Sequence, residues 1–392
     1  MMRERARAVL ESVTSFWSGL RDTEFGGFYG QVDFDLTIHK DADKGCILNS
    51  RILWFFSNAY LLLRDQTLLA HASSAYALLK DSFIDKEHGG LFWYVTHDGK
   101  PSDTTKHAYN QAFGMYALSS YLRASGDEEA IGLIKELYRL IEDRCADWGE
   151  NGLIGYKEAF SRDFSPAGNG KLSENGIMAE KTMNTLLHLA EGYAGCLQAR
   201  PDPEIEKSLE KMLELYMDKV YSEENRRSEV FFDSSMNSLI DLQSYGHDIE
   251  ASWLLDWCAS FVDNEDLKEK VGRASLVLVE SVYERAFKEG SLINERENGV
   301  NDLSRIWWVQ AESVVGFIHA FKRTGNSKYM AAAESVMTYI EEKITDKRPG
   351  SEWFWSVGAD GIPSRNPIAN EWKCPYHNGR MCLEALRRLA DD

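Results

Sequence analysis

Ile52-Leu53-Trp54-Phe55-Phe56 lies in a helically spaced stretch, residues 48–63, that is apolar almost all round. A helix with no polar face is buried on every side. The same character returns at Thr185-Leu186-Leu187-His188-Leu189-Ala190. The segments that follow such stretches, as in 127–143 and 265–287, are amphipathic and heavily charged. Apolar spacing predicts helices near 2–20, 48–63, 66–84, 105–123, 127–143, 174–198, 204–221, 245–262, 265–287, 305–323, 327–344 and 375–389. Buried and amphipathic helices alternate, six of each. That pattern predicts an all-α fold, an (α/α)6 barrel of six inner and six outer helices. An open α-solenoid is the alternative, but it gives no reason for six equally buried helices.

A loose motif recurs between the helices. It reads Glu24-Phe25-Gly26-Gly27-Phe28-Tyr29-Gly30, then Glu87-His88-Gly89-Gly90-Leu91-Phe92-Trp93, then Glu150-Asn151-Gly152-Leu153-Ile154-Gly155-Tyr156. Fainter copies begin at Glu289 and Gly350, and a degenerate one near Glu229-Val230-Phe231-Phe232. The first three copies are spaced by 63 residues each, which makes six units over the 392-residue chain. The 8 prolines fall in loops or at helix starts and no Pro- or Ser-rich linker divides the chain, so one domain over 1–392 is expected.

Composition narrows the function. The net charge of −18 argues against nucleic acid and against anionic membranes. No stretch approaches the ~20 apolar residues of a membrane span, and the N-terminal residues 1–17 lack the unbroken apolar core of a signal peptide. The six cysteines (46, 145, 196, 258, 374 and 382) form no CxxC pair. Their apolar surroundings suit a reduced, cytoplasmic protein. The chain is rich in aromatics, with 11 Trp and 17 Tyr. Most of these belong to the core, but rings also suit a carbohydrate site, because the C–H face of a sugar packs on them.

Polar residues on helices predicted to be buried carry the functional information. Arg51 lies early in the first such helix, Tyr109 opens the second, and Asn184 and His188 share a face of the third. His247 and Glu250 open the fourth, Trp308 and Glu312 mark the fifth, and His377 and Arg380 open the sixth, with Pro375 placed to take its first helical position. From Arg51 through Tyr109, Asn184, His247 and Trp308 to His377, the steps are 58, 75, 63, 61 and 69. They match the repeat, so these side chains should converge on one end of the barrel axis. Singly, each has a structural explanation: Arg51 could pair with a carboxylate, His188 could be a core histidine, and Trp308 could be core. His39, His71, His88, His97, His107 and His319 fit loops, turns or helix surfaces and are given no role.

His247 and Glu250 at i,i+3 would be half of a carboxylate-bridged dimetal site, but no second Glu-x-x-His accompanies them, so no metal is expected. No Ser or Cys stands in a nucleophile signature. Glu250 with Glu312 is a conceivable glycosidase pair. Histidines dominate the set, which favours general acid–base chemistry near neutral pH. Helix N-termini would keep His247 and His377 neutral, and an arginine could stabilise an oxyanion. The combination suits proton abstraction α to a carbonyl.

The motifs Gly26-Gly27-Phe28-Tyr29-Gly30, Leu48-Asn49-Ser50-Arg51-Ile52-Leu53-Trp54-Phe55, Ser173-Glu174-Asn175-Gly176 and Lys181-Thr182-Met183-Asn184 resemble those of the N-acylglucosamine 2-epimerase superfamily of (α/α)6 barrels. So do Ser244-Tyr245-Gly246-His247-Asp248-Ile249-Glu250, Trp307-Trp308-Val309-Gln310-Ala311-Glu312 and Lys373-Cys374-Pro375-Tyr376-His377-Asn378-Gly379-Arg380. Within it, the likeness is to enzymes acting on β-1,4-linked disaccharides. The resemblance implies cofactor-free 2-epimerisation of the reducing-end glucose: cellobiose to glucosyl-mannose, lactose to epilactose. It implies an acid–base pair at His247 and His377, with Arg51 and His188 near the reacting oxygens. Tyr109, Asn184, Glu250, Trp308 and Trp372 correspond to substrate-binding positions, and Glu312 and Arg380 are counted with them. A small-molecule disaccharide is the expected partner, and a monomer the expected state. An N-acylglucosamine 2-epimerase or a mannose–fructose isomerase would use the same scaffold. An (α/α)6 glycosidase or a sugar-binding protein are the readings from other classes.

Overall fold

Every residue from Cys46 to Ala59 is buried, as expected of a helix with no polar face. This helix, α2, spans Cys46–Leu63. It ends at Arg64, which is left-handed, and Asp65 caps the next helix by accepting from the Thr67 N–H. So tight a turn makes α2 and α3 (Gln66–Leu78) antiparallel neighbours. The computed structural model describes residues 1–150, 152–173 and 175–390. Asn151 of the third turn motif, and Glu174, where spacing puts the start of the sixth helix, lie outside the described residues.

Ten more helices follow the expected order among the described residues. They are α1 (Met2–Gly19), α4 (Ala108–Ser125), α5 (Glu129–Leu140), α6 (Met183–Ala199) and α7 (Pro203–Leu215). Then come α8 (Tyr245–Ala259), α9 (Glu265–Ala286), α10 (Trp307–Thr324), α11 (Ser327–Tyr339) and α12 (His377–Arg388). The buried helices touch in a closed cycle: α2 with α4, then α6, α8, α10, α12, and back to α2. Each amphipathic helix packs on one of them: α3 on α2, α5 on α4, α7 on α6, α9 on α8, α11 on α10 and α1 on α12. The fold is an all-α helical barrel.

Three details depart from the sequence reading. The helix expected at 174 begins at Met183, because Asn175 and Gly176 are left-handed and Thr182 caps α6 through the Thr185 N–H. Pro375 precedes the N-cap Tyr376 instead of standing inside α12; the first turn closes from the Arg380 N–H to the Tyr376 carbonyl. Four amphipathic helices run on into π-helical turns, Leu79–Phe83, Ile141–Cys145, Tyr216–Val220 and Ile340–Ile344. In each, the first and fifth residues are both buried. A wider turn keeps both on the core side.

Short strands, invisible in the sequence, ring one end of the barrel. Lys44–Gly45 pairs with Tyr94–Val95, Lys106–His107 with Ala159–Phe160, and Lys181–Thr182 with Phe231–Phe232. Leu242–Ser244 pairs with Glu295–Glu297, Arg305–Ile306 with Ser356–Val357, and a bridge from Val32 to Ala369 joins the two ends of the chain. These strands lead into the buried helices, and several carry a buried lysine. Lys44 binds Asp22 at 2.6 Å, Lys106 binds Asp85 at 3.1 Å and Lys181 binds Asp147 at 2.7 Å. Lys373, ahead of α12, binds Glu352. Asp22 and Asp85 stand two residues ahead of the quoted Glu24 and Glu87, and each accepts from two backbone N–H groups of its turn. They are the anchor beneath the recurring motif. The fourth turn is the hairpin Tyr221–Ser222 with Arg227–Ser228, just before Glu229.

Cys46–Leu63 is long and apolar enough to cross a membrane by composition, contrary to the expectation from sequence. It is a core helix, buried over 78% of that window.

Candidate active site

The entrance strands and first turns of the buried helices surround a cavity of about 350 Å³. Arg51 reaches it from α2, Tyr109 from α4, Asn184 and His188 from α6, His247 and Glu250 from α8, Trp308 from α10 and His377 from α12. All six evenly stepped residues therefore line one space, and Trp372 joins them from the segment before α12. A larger groove of about 590 Å³ lies along α5 and holds none of the expected residues.

Glu312 and Arg380 do not line the cavity. They lie behind its wall because they bind each other and the groups that hold the histidines. The Arg380 guanidinium donates to Glu191 at 2.6 Å, to Glu312 at 2.7 and 3.2 Å, to Glu250 and to the Tyr376 hydroxyl. Glu312 accepts from His377 Nδ1 at 2.7 Å and from Trp253 Nε1 at 3.1 Å. Glu191 accepts from His188 Nδ1 at 2.7 Å and from the Tyr376 hydroxyl. His247 differs: its Nδ1 lies 2.8 Å from the Ser244 hydroxyl, and its ring packs on Trp308 with centroids 4.8 Å apart.

Arg51 has no carboxylate partner among the described residues. Its Nη2 donates to the Tyr109 hydroxyl at 2.8 Å, its Nη1 to the Trp372 carbonyl at 3.4 Å, and its plane lies over Phe113 and Tyr376. Among the described residues, three buried polar atoms of the cavity lack a partner: Arg51 Nε, Asn184 Oδ1 and Glu250 Oε2. Such atoms are costly unless something binds them.

Burial dominates the electrostatics. It pushes His247 down to about 4, against the pull of Glu250, and His377 well below its ordinary value. Both rings are neutral at pH 7. Burial, rather than the helix N-terminus, is the first cause. Burial alone would raise Glu191, but Arg380 and His188 outweigh it and hold the carboxyl at about 2. Burial also raises Glu312, with Arg380 opposing.

Glu250, Glu312 and His377 could hold a metal by position, their donor atoms lying within 4.8 Å of one another. The Arg380 guanidinium already bridges the two carboxylates, and its charge would repel a divalent ion.

Sequence reasoning missed Glu191, Ser244, Trp355 and Lys171. A signal existed for the first: His188-x-x-Glu191 repeats the spacing of His247-x-x-Glu250. The others stand in loops or entrance strands, where spacing carries no direction.

The chain belongs to the N-acylglucosamine 2-epimerase family, whose model it matches over residues 7–379. It is a carbohydrate epimerase, as the motif resemblance implied. It is similar to a cellobiose 2-epimerase of Eubacterium cellulosolvens, at 50% identity over 97% of each chain. A sugar epimerase structure from a ruminal bacterium superposes with a TM-score of 0.96, at 45% identity and 100% coverage of both chains. The cellobiose 2-epimerase structure from Bacillus thermoamylovorans B4167 does so at 0.95, with 41% identity over 99% of each chain.

Proposed function

We propose that this chain catalyses the cofactor-independent 2-epimerisation of the reducing-end glucose of β-1,4-linked disaccharides. Cellobiose becomes glucosyl-mannose and lactose becomes epilactose. The observation that carries this reading is the pair of neutral histidines, half-buried His247 and buried His377, facing one cavity beside Arg51. Its support on the substrate side is the similarity to cellobiose 2-epimerases over nearly the whole chain.

The steps balance without an oxidant or a second substrate. The hemiacetal opens to the aldehyde, one histidine takes the C2 proton, and the charge moves onto the C1 oxygen of an enediolate. A proton returned to the opposite face of C2 gives the epimer. His247 and His377 form the acid–base pair. Arg51, with His188, stabilises the developing oxyanion, and the Arg51 Nε without a protein partner is a donor available for that charge. Tyr109, Asn184, Glu250, Trp308 and Trp372 bind the sugar, the two indoles by their faces and Asn184 Oδ1 and Glu250 Oε2 by accepting from hydroxyls. Glu312 orients His377, and Arg380 holds Glu191, Glu250 and Glu312 in place.

The reading takes the chain as one catalytic unit over 1–392, an (α/α)6 barrel with α2, α4, α6, α8, α10 and α12 inside. It also takes a monomer as sufficient, because one chain supplies all the residues named. Six buried free cysteines support a reducing, cytoplasmic setting.

The test is product analysis. Purified protein is incubated with cellobiose in chelator, without nucleotide, and N-acetylglucosamine and mannose are run in parallel. Glucosyl-mannose is the expected product. Release of free glucose would mean a glycosidase, unchanged cellobiose with measurable binding a sugar-binding protein, and preferential turnover of either monosaccharide a different member of the family.

A further inference from the structure

The three histidines of the cavity are held from behind by different chemistry. His188 and His377 each place Nδ1 2.7 Å from a buried carboxylate, Glu191 and Glu312. An ionised carboxylate only accepts, so it fixes a proton on Nδ1. His247 has the Ser244 hydroxyl instead, 2.8 Å from its Nδ1. A hydroxyl donates as readily as it accepts, and it turns at little cost.

We propose that Ser244 is the positioning residue of His247: it holds the ring against the cavity wall while its hydroxyl turns to suit either neutral tautomer or the imidazolium. The inference rests on the acid–base role proposed for His247 and concerns how that residue changes state during a turnover. A carboxylate behind a ring holds one tautomer and steadies its charged form, as Glu312 does for His377, whereas a hydroxyl at Nδ1 orients the His247 ring without favouring its charged form. Ser244 itself is fixed. It is buried, its backbone is paired with Glu295, and it immediately precedes α8, so the hydroxyl can rotate while its Cβ cannot move.

The charges around His247 set what a change at Ser244 would do. Glu250, on the same helix, favours the charged ring, and His188 from α6 opposes it. His377 from α12 and Arg51 from α2 line the same cavity, and Arg380 from α12 binds Glu250. Glu295 lines the cavity from the strand paired with Ser244, and Trp308 from α10 adds a ring without charge. Ser244 adds no charge to this set, so burial keeps His247 neutral. A carboxylate at 244 would give His247 the same kind of partner as His188 and His377 have.

Ser244→Ala, Ser244→Thr and Ser244→Asp test the proposal, with kcat, KM and the pH profile of kcat/KM measured for each on cellobiose. Ser244→Ala should lose about tenfold in kcat with KM held, the worth of one hydrogen bond made in the reacting state. Ser244→Thr should recover most of that loss. Ser244→Asp should move the acid limb to higher pH by about one unit, because the new carboxylate stabilises the imidazolium. A Ser244→Ala enzyme with wild-type kcat, or an Asp variant whose acid limb stays put, would overturn the proposal. Should the Ala variant fail to fold, the Asp profile decides by the same criterion. His247→Ala separates the two levels. Retained turnover there removes the acid–base reading itself, whereas a silent Ser244 beside an essential His247 removes only the positioning role.

Discussion

His377 and His247 open helices on separate repeats, and their regular spacing makes them legible in the sequence. What holds them is only partly legible there. Glu312 stands out as a polar residue on a buried helix, and Glu191 repeats the His-x-x-Glu spacing, but that Glu312 backs His377 and Glu191 backs His188 is decided only when the helices pack. Arg380, three residues after His377, reads from spacing as a second group in the cavity; one turn further along α12 it is instead enclosed among three glutamates and does not reach the cavity lining. His247→Ala and His377→Ala should each lower turnover by about 10²–10⁴-fold in steady-state assays, with folding unchanged by circular dichroism. A near-normal rate in either variant removes that residue from the scheme. The pH profile is a second check. His247 must be neutral to take a proton, and burial lowers it from about 6.5 to about 4; His377 is also held well below its ordinary value. The acid limb of kcat/KM should therefore lie well below pH 6, with activity level between pH 6 and 7. A limb at an ordinary histidine value would contradict the burial argument.

At the scale of elements, the helices are readable because apolar spacing persists over twelve or more residues. The strands are not, because two- and three-residue pairings across some fifty residues leave no period-2 pattern. The same strands hold the helix entrances in register through buried lysine–carboxylate pairs. Lys44 with Asp22 is fully enclosed. Lys44→Met should lower stability by about 3–5 kcal/mol, since Asp22 is then left buried without its cation. Urea unfolding would measure the loss, and adding Asp22→Asn to the variant should recover part of it. No loss would mean that the backbone donors of the turn suffice for Asp22.

On the scale of the molecule, six repeats bring their helix entrances to one place, so the candidate site assembles from residues 58 to 75 positions apart in sequence. Regular spacing is why Arg51, Tyr109, Asn184, His247, Trp308 and His377 stand out together, and ring closure is why they meet. Loop residues such as Lys171 and Trp355 reach the same cavity from segments without periodicity, and no pattern announces them. In the proposed reaction the barrel removes and returns the C2 proton of a reducing-end glucose. Incubating the protein with lactose in D2O, with chelator and no nucleotide, should give epilactose carrying deuterium at C2, read by NMR. A folded sample that leaves C2 of the sugar unexchanged would contradict it.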